Sequence, residues 1–161
     1  MALSKDALVK QIRQAFLGVN RPPDEKLLHF PNMGDELWVE SYLGNTETDW
    51  KNIKPDKIEH EYAALTAFSP AAFVYYLPAY MTWVLKNCAT SSSNTVDHTL
   101  YALDLTDREE AVRGIMEDRF SALSQEQAHV VLEFLKYMSE LREVDNKAAH
   151  RAIASFWNKF D

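Results

Sequence analysis

The side chains able to do chemistry are scattered along this chain rather than clustered. Five histidines, His29, His60, His98, His129 and His150, fall one to a segment. His129 and Glu133 stand at i, i+4 and would share a helix face, which offers two metal ligands. A site needs at least a third ligand, and no second paired motif supplies one; the other reading is a pair of solvated helix residues. In Glu59-His60-Glu61 the three neighbours point to different faces of a helix and cannot converge locally. Cys88 follows an apolar helical run rather than opening one, so it lacks the helix N-terminus that activates a thiolate. There is no Gly-x-Ser-x-Gly elbow, and the four glycines are isolated, so no phosphate-cradling loop is present. The expectation is a protein without enzymatic activity, cofactor or metal.

Two other constellations remain. Tyr76, Tyr80 and Trp83 recur at i, i+4 and i+7 around Pro78. A helix broken at that proline opens a groove where tyrosine hydroxyls hold a small ligand, with His129 or His60 nearby. The competing reading is a core stripe whose polar tips find partners inside. The second constellation is acidic. Between Asp24 and Asp49 lie seven carboxylates against the single base Lys26, with Trp38 and Trp50 in the same stretch. Aromatic anchors rimmed by charge are what a protein-binding hot spot requires. Asp35, Glu36, Trp38 and Glu40 are the candidate partner-binding residues. The alternative is an acidic loop whose tryptophans pin it to the core.

Helical signals surround both constellations. Leu8, Ile12, Ala15 and Phe16 form one apolar stripe, with Ser4 placed to cap it and Gly18 to stop it. Arg21-Pro22-Pro23-Asp24 then forces a non-helical connection. Gly34-Asp35 opens a short helix through Leu37, Trp38 and Tyr42. Pro55 leads another through Ile58, Tyr62 and Leu65. Ser69-Pro70 reads as a cap and first helical position for the segment to Asn87.

From Ala63 to Leu85 there is no charged residue, a run of 23 that has the length of a membrane span. Its prolines, tyrosines, threonines and serine make it only moderately hydrophobic, and the expectation is a core helix kinked at Pro78. Ser91-Ser92-Ser93 marks a polar loop. Two capping boxes follow, Thr106 with Glu109 and Ser124 with Gln127. The last segment carries Ala149, Ile153, Phe156, Trp157 and Phe160 at helical spacing, and an apolar face there would suit a self-associating structural protein.

No alternating run of strand length competes, so the fold expected is all-α: a single helical domain over residues 1–161, a compact bundle of about six or seven helices. The 161 residues suffice for one core, and 47% apolar with 12% aromatic content is that of a globular chain. A single cysteine excludes an internal disulfide, and the first residues lack a basic-then-apolar leader, so a reducing cytoplasm is expected. The net charge of −7 argues against nucleic acid, whose backbone requires clustered cations.

The run Phe68-Ser-Pro-Ala-Ala-Phe-Val-Tyr-Tyr-Leu-Pro-Ala-Tyr80 resembles the signature of a family of short bacterial proteins classed as a domain of unknown function. Leu123-Ser-Gln-Glu-Gln127, Phe134-Leu-Lys-Tyr137 and Trp50-Lys-Asn-Ile53 resemble further parts of it, so the likeness spans about residues 45 to 140. The resemblance implies a bacterial origin and supports the fold; it transfers no activity and no catalytic residue. From the residues, the role expected is an acidic immunity-type protein that occludes a basic partner, a toxin or an enzyme.

Overall fold

The computed structural model describes residues 3–142, 144 and 146–161. Seven α-helices form among them: α1 (Lys5–Ala15), α2 (Pro55–His60), α3 (Pro70–Asn87), α4 (Thr95–Tyr101), α5 (Glu110–Ser121), α6 (Gln125–Glu140) and α7 (Lys147–Ser155). The fold is an all-α bundle, and no strand forms among the described residues.

The longest helices begin and end where local chemistry says they should. Ser4 Oγ accepts the amide of Ala7 at 3.2 Å to open α1, and Gly18 takes φ 76° just beyond its end, a conformation that strains residues with a Cβ. Ser69 caps α3 by accepting from Ala72, and Pro70 occupies the first turn. Ser124 and Gln127 complete a reciprocal capping box on α6.

Buried α3 is the centre of the bundle. Twelve of its 18 residues are buried, and it packs against α1, α2, α4 and α5. Pro78 lies within it, so the carbonyl of Val74 loses its usual helical donor. A second layer is built on α6, which packs against α1 and α7. Trp157, in the short 3₁₀ turn Trp157–Phe160 after α7, is fully buried and donates its indole N–H to Leu103 O at 2.8 Å. The aromatic end of the chain is therefore directed inward, with Phe120, Phe156 and Phe160 around Trp157.

One helix start and one helix end differ from the sequence expectation. Thr106 does not cap α5, which begins at Glu110. Asp104 Oδ1 accepts the Thr106 amide at 2.9 Å and Asp107 takes φ 59°, so an Asx turn captures the residues that a capping box would have used. α2 stops at His60 rather than continuing through Leu65; the chain re-forms only one 3₁₀ turn at Ala64–Thr66 before Phe68 bridges to Leu28.

From Asp24 to Asn52 there is no α-helix. Four 3₁₀ turns, Asp24–Lys26, Asp35–Trp38, Glu40–Tyr42 and Trp50–Asn52, replace the single short helix expected near Gly34. Gly34 at φ 89° starts the second turn, and Val39 at φ −130° separates the second from the third.

Candidate functional site

Arg21 determines where this irregular segment lies. Its guanidinium donates to Tyr76 Oη at 3.2 Å, to Asp24 Oδ1 at 2.7 Å and to the carbonyls of Pro22 and Tyr42 at 3.1 and 2.7 Å. The Asp24 carboxylate, held below its usual range by Arg21 and then by the Gly44 amide, returns the chain to the same point. Tyr42 is fully buried and stacks near Phe68 and Tyr76. Trp50 is buried too and donates its indole N–H to Phe16 O at 3.1 Å.

Between the anchors Arg21, Tyr42 and Trp50, Leu27 and Val39 also join the core, while much of the chain from Phe30 to Trp38 is exposed. Eight large apolar side chains are exposed among the described residues, and four of them, Phe30, Met33, Leu37 and Trp38, come from one stretch. Leu37 is 75% exposed and Trp38 46%. Exposed large apolar residues so close in the chain are unusual, whereas single ones need no explanation.

The charged candidates divide in two. The carboxylates of Asp35 and Glu40 make no hydrogen bond or ion pair to any described residue, and Glu40 is exposed. Glu36 instead turns back on its own loop. Its Oε1 accepts the Asn32 amide at 2.6 Å, and its own amide and that of Asn32 hold the carboxyl below the ordinary glutamate range. It thereby stabilises the turn in which Asn32 takes φ 67°.

Beside this patch runs a row of aromatic groups that has no periodic signature in the sequence. Trp38 meets Tyr62 edge to face with centroids 6.4 Å apart, Tyr62 meets His98 at 4.8 Å, and His98 lies 6.3 Å from Tyr101. The Arg108 guanidinium sits 3.7 Å over the Tyr101 ring and is held there by the carbonyls of Asp104 and Tyr101. Only His98 and Tyr101, at i, i+3 on α4, offered a signal for it. Beneath the patch, Arg119 is buried and donates to Phe68 O and Thr66 O at 2.7 and 2.8 Å. Desolvation lowers its pKa to about 10, and the nearby charge of Asp35 acts in the opposite direction.

Tyr76 and Tyr80, by contrast, are fully buried with their hydroxyls engaged. Tyr80 donates to Glu61 O at 2.7 Å, so the 2.7 Å contact between the two hydroxyls requires Tyr42 to donate to Tyr80. Trp83 lines a cleft with Arg13, Trp50 and Lys86, and neither tyrosine reaches it. His60 Nε2 lies 3.4 Å from the buried Glu61, which also accepts from Ser41 at 2.8 Å. His129 Nδ1 donates to Phe160 O at 3.1 Å, while Glu133 pairs with Lys136 at 3.2 Å. No group of three or more metal-ligating side chains converges among the described residues. Likewise, no helix among them is long and apolar enough to cross a membrane.

The chain belongs to the family described as "Family of unknown function (DUF6714)", whose match covers residues 4–160. That span takes in α1 and α7 as well as the segments whose likeness was legible in the sequence. No curated protein and no solved structure matches the chain.

Proposed function

We propose that this member of the family is a non-enzymatic protein-binding domain whose face from Phe30 to Glu40 captures a basic protein partner. The observation that supports it is the exposure of Trp38, Leu37, Met33 and Phe30 beside Asp35 and Glu40, two carboxylates that make no direct ion pair with a described residue. Apolar anchors supply the desolvated centre of such an interface, and free carboxylates steer a cationic partner to it. The aromatic row through Tyr62, His98 and Tyr101 extends the same surface. With a net charge of −7 and no internal disulfide, the chain suits the cytoplasm. There the role is that of an immunity-type protein that covers the cationic site of a toxin or enzyme.

Capture of a basic protein from the lysate of the source cell, eluted by salt, provides the partner for the test. Asp35→Lys/Glu40→Lys leaves the Glu36 turn intact, so the partner's association rate should fall at least about tenfold at low salt, with a flatter salt dependence. Trp38→Ala should weaken the complex mainly through faster dissociation, by about 2 kcal/mol. Unchanged kinetics in both variants would remove this face as the binding surface.

A further inference from the structure

A cleft of about 170 Å³ opens between α1, α3 and the Trp50–Asn52 turn, and its lining is organised in tiers. Trp50, Ile53, Ile58 and Trp83 make apolar walls, and all four are buried in the fold. Thr82, on the stretch of α3 between Pro78 and the helix end, contributes a hydroxyl that is shielded from solvent and has no hydrogen-bond partner. Arg13, Lys51 and Lys86 line the same cleft and are all exposed, so apolar walls and cationic heads serve one space.

The charge is what separates this cleft from an ordinary surface crevice. The chain carries 24 acidic residues against 17 Lys and Arg, yet three cations meet here. Arg13 and Lys86 have no ion pair among the described residues; Lys51 has Asp49 at 3.5 Å. Two adjoining depressions share Arg13, and one of them adds Lys5 and Lys10 against Asp6 alone. Cations left unneutralised in an acidic protein, above an apolar pocket, are the complement of an amphipathic anion.

We infer that this cleft binds a small organic carboxylate with a single-ring or branched apolar body. A cavity of about 150 Å³ accommodates a benzene ring, so the volume suits one ring. The body fills the space between Trp50 and Trp83, and the carboxylate meets the Arg13 fork and the Lys86 ammonium at the rim. The site shares no residue with the acidic face, so it stands or falls independently of the protein-binding reading.

Benzoate is the probe, with benzyl alcohol as its uncharged counterpart and inorganic phosphate as the anion without a body. The readout is the indole N–H resonances of the ¹⁵N-labelled protein. Benzoate should move the Trp83 signal saturably, with a Kd at or below the order of 1 mM, and leave Trp38 still. Benzyl alcohol should bind at least about tenfold more weakly, and phosphate should leave Trp83 unmoved. Arg13→Met/Lys86→Met alters exposed side chains only, so it should keep the thermal midpoint and raise the benzoate Kd at least about tenfold. Absence of a saturable Trp83 shift would overturn the assignment, as would equal binding of benzyl alcohol or undiminished affinity in the double variant. Phosphate alone shifting Trp83 as benzoate does would overturn it too, because the apolar body would then be idle.

Discussion

Trp38 and Trp50 belong to the same irregular segment and meet opposite fates. Trp50 is 4% exposed, with its indole N–H on Phe16 O; Trp38 is 46% exposed and has no acceptor among the described residues. The difference teaches how a segment without α-helix is held. Its ends are fastened by polar tips that find main-chain carbonyls, through Arg21 and Trp50, and by the buried ring of Tyr42. The part between those fastenings is then free to present apolar side chains to solvent. Irregular backbone is thus divided between a structural margin and a displayed centre, and composition alone does not separate the two.

The largest effect expected from this contrast is on stability. Trp50→Ala removes a buried ring and its indole hydrogen bond to Phe16 O, so it should cost about 3–5 kcal/mol in denaturant unfolding. A loss below about 1 kcal/mol would mean that Trp50 is no anchor.

Alkaline pH tests the inner side of the contrast next. Burial pushes the phenol of Tyr76 up to about 12, and those of Tyr42, Tyr75 and Tyr80 higher still. In the unfolded chain these groups release their protons near pH 10. Above that pH the unfolded state binds fewer protons than the folded one, so stability falls as pH rises, by up to about 1.4 kcal/mol per pH unit for each phenol. Below pH 10 both states are protonated and the dependence disappears. Absorbance of tyrosinate near 295 nm should therefore rise together with the loss of helical circular dichroism. Ionisation of these four in a chain that is still folded would show that the tyrosine column is open to water.

The smallest effect belongs to the displayed side. Trp38→Ala should change folding stability by no more than about 1 kcal/mol, because the ring is about half exposed and makes no hydrogen bond to a described residue. A cost comparable to that of Trp50→Ala would place Trp38 among the structural residues and weaken the case for a binding face.

Much of the helical framework was legible from local pattern. Ser4, Ser69 and Ser124 cap helices as their spacing implies, because a cap is a contact between residues three apart. The uncharged run before Leu85 contains the buried central helix, and there the reason is tertiary: the hydroxyls of Tyr76 and Tyr80 find partners on Arg21, Glu61 and Tyr42 inside the bundle. Local pattern misled at Thr106, where the carboxylate of Asp104 competed for the same amide.

The sites were far less legible. Nothing in the local pattern singles out Arg21 or Arg119, yet their guanidiniums reach carbonyls 21 to 53 positions away along the chain. The aromatic row from Trp38 to Tyr101 and the cationic cleft beside Trp83 each draw on segments that share no period. Helix caps, apolar stripes and net charge follow from neighbours in the chain, whose relative positions every helix of this composition repeats. Which tryptophan is buried, which carboxylate is free and where three cations meet depend on how the helices pack, and packing joins residues that local periodicity never compares.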